Sequence, residues 1–330
     1  MKLVRFIWIF LLVLPFIPAH MTLASDPVGG PSLGFSPNAD GTTVWPILGI
    51  PGASTLGQAL NLGVGIRGAV VSPRQDYILA LRTEDGQPII SRLTSDPREA
   101  TPIDGTRRNS VIAISPSGAA AALYDNDSKM LQVLRGFPAS PAVVFESDVS
   151  SIAGDITALS VSDDAALSLV GFSNNGSGSL WAVSSAGSKF VSATQATSLA
   201  FIVNSQDAVV SDNAVGEAFL LQRIADAPQR FALISPGEGV TGLSGIAVSD
   251  DGRYAVVAGS ASGTVGIVDM QQSLRYVIPC NCKPNGVNRL SGAAVFRLNQ
   301  PPDALLTILD LSSGKPRILV VPPAPKTVTR

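Results

Sequence analysis

Apolar residues in this chain come in short runs of about four or five, each closed by turn-forming residues. No stretch carries a long apolar period of 3.6 residues with caps, so the pattern predicts strands and hairpins, with helices short or missing. The runs pair and recur. Residues 68–72 precede 77–81, 111–115 precede 119–123, and 158–162 precede 166–170; 198–202 precede 208–210, 245–249 precede 254–257, and 292–296 precede 304–308. The leading runs end at intervals of 43, 47, 40, 47 and 47 residues, the period of a four-stranded propeller blade.

A second hairpin signal follows at a similar offset in every unit, at 83–86, 125–128, 173–176, 212–216, 260–263 and 311–314. Its Gly and Asn residues supply the positive φ of tight hairpins. The leading runs open on Gly68, Val111, Ala158, Ser198, Gly245 and Gly292, mostly small residues, as innermost strands crowded about an axis require. Six units predict a six-bladed β-propeller over 43–322. The sixth shows only three strands, and the strand-like stretch 43–50 stands alone ahead of the first unit. The expectation is that 43–50 closes the ring as the outer strand of the last blade, with Trp45 buried there and Pro46 facing a free edge. Seven blades are the alternative, because Phe35-Ser-Pro-Asn-Ala-Asp-Gly41 resembles a further repeat hairpin.

Composition changes the picture mainly at the N-terminus. Lys2 and Arg5 precede the apolar run 6–17, and Thr22-Leu23-Ala24 offers small residues for cleavage after Ala24. This is a secretory signal pattern over 1–24, too short to span a bilayer, and it predicts an extracytoplasmic protein, periplasmic or secreted. No later run is long and apolar enough to be a transmembrane segment. Residues 25–42 read as a linker and 323–330 as a tail. His20, the only histidine, leaves with the signal, which excludes a Ser-His-Asp triad and His-based zinc sites in the mature chain. The mature chain keeps 21 basic against 25 acidic residues, a charge of −4, with no basic run to serve a nucleic acid.

Few motifs carry chemistry. Gly63-Val-Gly-Ile-Arg-Gly68 fits a dinucleotide-binding string, but a strand-forming run follows it where a helix is needed, so it reads as the loop entering the first unit. Ser312-Ser-Gly-Lys315 fits a serine-hydrolase string, yet Gly314 and Pro316 argue for a turn. Asp125-Asn-Asp-Ser128 and Asp212-Asn213 are oxygen-rich turns without the Gly and distal Glu of a calcium loop. No cofactor is implied. Cys280 and Cys282 are the only cysteines; an oxidising compartment makes a disulfide the default, against free thiols, a redox role or a metal site.

Residues 245–259, Gly-Ile-Ala-Val-Ser-Asp-Asp-Gly-Arg-Tyr-Ala-Val-Val-Ala-Gly, followed by Gly263-Thr-Val-Gly-Ile-Val-Asp269, resemble the inner-strand, turn and second-strand unit of the bacterial YVTN-type and WD-like β-propeller superfamily. Leu309-Asp-Leu-Ser-Ser-Gly-Lys315 resembles its Asp-x-x-Ser/Thr-Gly-Lys hairpin. The resemblance runs over roughly 43–321. The pattern lapses at Ser162-Asp-Asp164, which lacks the Gly, and in the fourth unit, and no Trp-Asp pair ends a blade. It implies a fold rather than an activity.

The expectation for function is a non-catalytic propeller, monomeric, that binds a protein or small-molecule partner through a face or its central funnel. The alternative is an enzyme with a site at the axial funnel, as in the lactonases of similar propellers, with Arg67, Asp155 and Arg297 as strand-end candidates. A third reading makes it a surface-adhesion protein with a short proline-rich spacer at 322–326.

Overall fold

A computed structural model of the chain describes residues 30–93, 99–300 and 305–323. They form seven antiparallel sheets of consecutive strands, one three-stranded and six four-stranded, and no helix occurs among the described residues. The protein is an all-β propeller with seven blades, the alternative rather than the six-bladed expectation. Blade 1 is β1 (Ser32–Pro37), β2 (Val44–Ile50) and β3 (Ala53–Leu56); blades 2 to 7 span 66–102, 111–148, 155–192, 196–234, 243–279 and 288–321. Residues 1–29 and 324–330, which include the signal and most of the tail, lie outside the described residues.

Local chemistry explains why the inner hairpins recur. In blades 2, 3, 4 and 6 a serine ends the inner strand, and its Oγ accepts the backbone N–H five residues on, at Tyr77, Ala120, Leu167 and Tyr254. The fourth residue of each turn, Gln75, Gly118, Ala165 or Gly252, takes a positive φ of 57–74°. Blade 5 has Ile202 in place of the serine; the same two backbone hydrogen bonds close its turn, and the positive φ falls on the third residue, Asn204. The small openers seen in sequence have a related role. Ala158, Ser198 and Gly245 sit directly after β-bulges, and Gly68 lies within one. At Gly245 a Cβ would lie 2.5 Å from the backbone nitrogen of Val287 on the next blade, so only glycine fits there.

Seven separate apolar clusters fill the seven contacts between neighbouring blades. Second strands such as Ala120–Asp125 are buried along their whole length, because both faces meet a neighbour. The cluster that joins blade 7 to blade 1 contains Leu33, Ile47, Leu56, Leu290, Leu306 and Ile308, with Trp45 half-buried against it. The ring is therefore closed by packing between two complete sheets.

This corrects three expectations. The stretch 43–50 is not the outer strand of the last blade: it supplies β2, the middle strand of its own sheet. Pro46 is tolerated because β3 pairs with β2 only from Ile47 onward, so no ladder on that side needs its N–H. Residues 32–42, taken as linker, carry β1 and its turn. The last unit is also out of phase by one strand. The runs expected at 292–296, 304–308 and 317–321 fall where its second (Val295–Arg297), third (Leu306–Asp310) and fourth (Arg317–Val321) strands lie, and its inner strand is only Asn288–Arg289. A two-residue strand has no alternation to read.

Blade 1 lacks an inner strand among the described residues. The N–H of Asp250 donates to Ala293, at the head of the second strand of the next blade, and Ser291 donates in the same way to Leu33. β1 thus occupies a second-strand position with its inner edge bare. That edge is met by substitutes. Leu33 O accepts from Ser291 N at 2.9 Å, Phe35 N donates to Gln75 Oε1 at 2.8 Å, and Pro37 O accepts from Arg297 Nη1 at 3.1 Å. Residues 33, 35 and 37 share one side of the strand, so backbone and side chains from blades 2 and 7 stand in for the missing ladder.

Candidate functional site: the axial channel

The inner strands of blades 2 to 7 enclose a channel of about 220 Å³ on the ring axis. Most of its lining residues are apolar, Val71, Ile112, Leu159, Ile246 and Val248 among them, and the wall they present is polar and apolar in about equal parts. Both faces of an inner strand meet neighbouring blades, so its side chains pack sideways between blades and its free backbone edge is turned towards the axis. Polar side chains in the lining are few, Ser160, Asn288 and Arg289, and backbone groups supply the rest of the polar surface.

A second cavity, of about 590 Å³, opens where the inner-hairpin turns gather. Arg74, Ser117, Asn204, Asp250 and Ser291 line it. Pro73 and Arg289 line both cavities, so Arg289 stands where the channel meets this polar funnel. The Arg289 side chain is only 9% exposed. It starts on blade 7, its Nη1 donates to Pro116 O of blade 3 at 2.9 Å, and its Nη2 pairs with Asp250 of blade 6. The guanidinium therefore lies across the end of the channel. Its buried Nε has no hydrogen-bond partner. The Arg289 carbonyl accepts from Gln75 Nε2 at 2.9 Å, which fixes the backbone beneath it.

The rest of the funnel rim is tied turn to turn. Asp163 accepts from Ser117 N at 2.7 Å and from Asn204 N at 2.8 Å, joining blades 3, 4 and 5. Each of its carboxylate oxygens accepts one backbone N–H.

The residues singled out from sequence fall in separate places. Arg67 lies on the inner strand of blade 2 beside Gly86 and Arg108. Asp155 opens blade 4 with its side chain 97% exposed, 3.8 Å from Lys129. Arg297 is buried on the second strand of blade 7, its Nη1 bonded to Ser36 Oγ at 2.6 Å as well as to Pro37 O. Burial lowers its pKa to about 10. No hydrogen bond or ion pair joins any two of these three, so they form no shared site.

Gly63-Val-Gly-Ile-Arg-Gly68 runs into the inner strand of blade 2. Ser312 is turned onto Asp310, its N–H donating at 2.9 Å, within the last hairpin. Asp125 accepts from Asp127 N and from Ser128, and Asp212 accepts from Ala214 N, so both cap their own turns. No group of three or more metal-ligating side chains occurs among the described residues. The sulfurs of Cys280 and Cys282 are 2.26 Å apart in the connection between blades 6 and 7, with Cys280 packed into the core of that contact. Sequence reasoning missed Arg289 and Gln75. An arginine at an expected loop and a glutamine in a turn carry no pattern of their own.

No family model and no curated protein matches the chain. Among solved structures, hydrazine synthase from Kuenenia stuttgartiensis is similar at a TM-score of 0.55 and 11% identity, over 92% of this chain and 98% of that one. A functionally unknown protein from Desulfotomaculum acetoxidans is similar at a TM-score of 0.49 and 15% identity, over 76% of this chain and 78% of that one. The first likeness supports the propeller fold, and at this identity it carries nothing about activity.

Proposed function

We propose that this protein is a non-catalytic, extracytoplasmic propeller that binds a small molecule of largely apolar character in its axial channel. One observation carries this reading: the ring axis holds a preformed concave channel lined mainly by apolar residue types, with a few polar side chains, Arg289 among them, gathered at one end, the usual make-up of a small-ligand site. At about 220 Å³ it lies below the range typical of drug-sized ligands, so the ligand is small. The signal pattern and an oxidised Cys280–Cys282 pair fit a compartment outside the cytoplasm.

The test is ligand binding by the purified mature chain, a monomer in this reading, with octan-1-ol as the first probe. Ala247 lines the channel, and Ala247→Leu narrows it. Saturable binding to the wild type that Ala247→Leu abolishes supports the reading. Equal binding by both proteins, or none by either, overturns it. Intact-mass measurement with and without reduction and alkylation tests the cysteine pair.

A further inference from the structure

We infer that Arg289 makes the channel selective for a carboxylate: the ligand is a small monocarboxylic acid whose apolar body fills the channel and whose head group accepts the Arg289 Nε–H. This deepens the channel-binding reading and rests on it.

Three observations point the same way. The first is the orphan donor. Nε is buried and has no acceptor, a condition that buried polar groups rarely tolerate unless a water or ligand supplies one. The second is the asymmetry of the ion pair. The Arg289 side chain is 9% exposed, whereas Asp250 is 58% exposed. The cation is held inside and its counter-ion sits at the mouth, where solvent weakens the attraction. Its other partner, Pro116 O, is a neutral carbonyl. The third is position. Arg289 lies where the apolar channel and the polar funnel meet, and Arg74 adds a second cation to the funnel lining. An anion in this place gains from both cations, and a partly dry site strengthens the charge-assisted bond.

The geometry selects the head group. A carboxylate meets a guanidinium in its own plane, and the fork of donors that Asp250 engages at Nη2 is unpaired at Nε. An ammonium is repelled, and an alcohol supplies a weaker acceptor. The lining residues are mostly apolar and Arg289 is the only charged one among them, so a tail with a single charged head is favoured over a dicarboxylate.

The experiment is calorimetric titration of the purified mature protein with octanoate, octan-1-ol and octylammonium, on wild type, Arg289→Gln, Asp250→Asn and Ala247→Leu. Octanoate should bind about tenfold more tightly than octanol, the factor expected from one charge-assisted hydrogen bond, and octylammonium more weakly than either. Arg289→Gln should lower octanoate affinity about tenfold more than octanol affinity. Asp250→Asn removes a competing carboxylate at an exposed position and should tighten octanoate severalfold, independently of any folding defect in Arg289→Gln. Equal affinity for octanoate and octanol, both lost in Ala247→Leu, would overturn the carboxylate assignment and leave the channel reading standing. Weaker octanoate binding in Asp250→Asn would also overturn it. Absence of binding by all three probes, or octanoate binding unaffected by Ala247→Leu, would overturn both.

Discussion

Blade 4 and the seam between blades 7 and 1 satisfy the same backbone groups with different material. In blade 4 the inner strand Asp155–Val161 pairs along Ser168–Asn174, and its sides touch the inner strands of the neighbouring blades. Every residue of the ladder brings its own donor and acceptor, so pairing there depends little on which side chains are present. At the seam no described strand lies inside β1, and one backbone N–H and two side chains reach in from blades 2 and 7 instead. Those side chains cannot be exchanged freely. The comparison teaches that single substitutions should hurt most where side chains replace a ladder and least where a ladder already exists.

The largest effect is expected at Arg297. Its guanidinium bonds to Ser36 Oγ and Pro37 O, and no carboxylate among the described residues balances its charge. Arg297→Ala removes both bonds and leaves a cavity, a loss of about 3 kcal/mol in chemical denaturation. Arg297→Met keeps the volume and separates the two contributions. A loss of about 2 kcal/mol in that variant would locate the effect in the hydrogen bonds, whereas a variant as stable as wild type would mean that packing alone holds the seam. The pH dependence sharpens the point. Burial lowers the folded-state pKa to about 10, below the usual guanidinium range, so above that pH the unfolded chain binds more protons than the folded one. This residue's burden on stability is full below pH 10 and lessens as pH rises through it. Wild type should gain on Arg297→Met in that window.

Gln75 ranks next. It bridges Phe35 N, Ser72 O and Arg289 O from a left-handed backbone with φ of 61°. Gln75→Ala should cost about 2 kcal/mol. Gln75→Gly loses the same bonds and relieves the backbone, so it should be the milder variant by about 1 kcal/mol. Identical losses would mean that the backbone is unstrained here and that the bonds account for the whole effect. In a regular region, Asp163→Ala removes two acceptors from the rim between blades 3, 4 and 5 but leaves every ladder intact. It should cost about 1 kcal/mol, and a loss larger than that of Gln75→Ala would reverse the ranking of seam over blade.

The same contrast explains what the sequence disclosed. Regular blades repeat because their turns repeat: Ser72, Ser115, Ser162 and Ser249 each close an inner hairpin, and those positions set the period. The seam repeats nothing. The inner strand of blade 7 is Asn288–Arg289, two polar residues without alternation, and its turn, with Gly292 and Ala293, imitates the small opener of an inner strand. That imitation shifted the last unit by one strand and made a closing strand seem necessary. Arg297 and Gln75 work through long side chains across blades, a relation that hydropathy cannot register. The channel was legible as a place, because the repeat implies an axis. Arg289 was not, because its role depends on Asp250 and Pro116, which lie 39 and 173 residues away.

The smallest effect is expected on an exposed hairpin of blade 2. Asp85 pairs with Arg82 and accepts from Gln87 N at 3.0 Å, in a turn whose strands are already laddered. The Arg82 hydrogen bond, helped by that N–H, pulls its pKa down to about 2. The folded-state value lies below the unfolded one, so the contribution is present above the ordinary carboxylate range and is lost as pH falls through about 2. Asp85→Asn should therefore lower the melting temperature only slightly at neutral pH, since solvent screens an exposed pair. The gap from wild type should close progressively as the medium is acidified towards pH 2. A gap that is large at neutral pH, or that does not change with acid, would show that this turn depends on its side chains as the seam does, and the distinction between the two regions would fail at its weakest point.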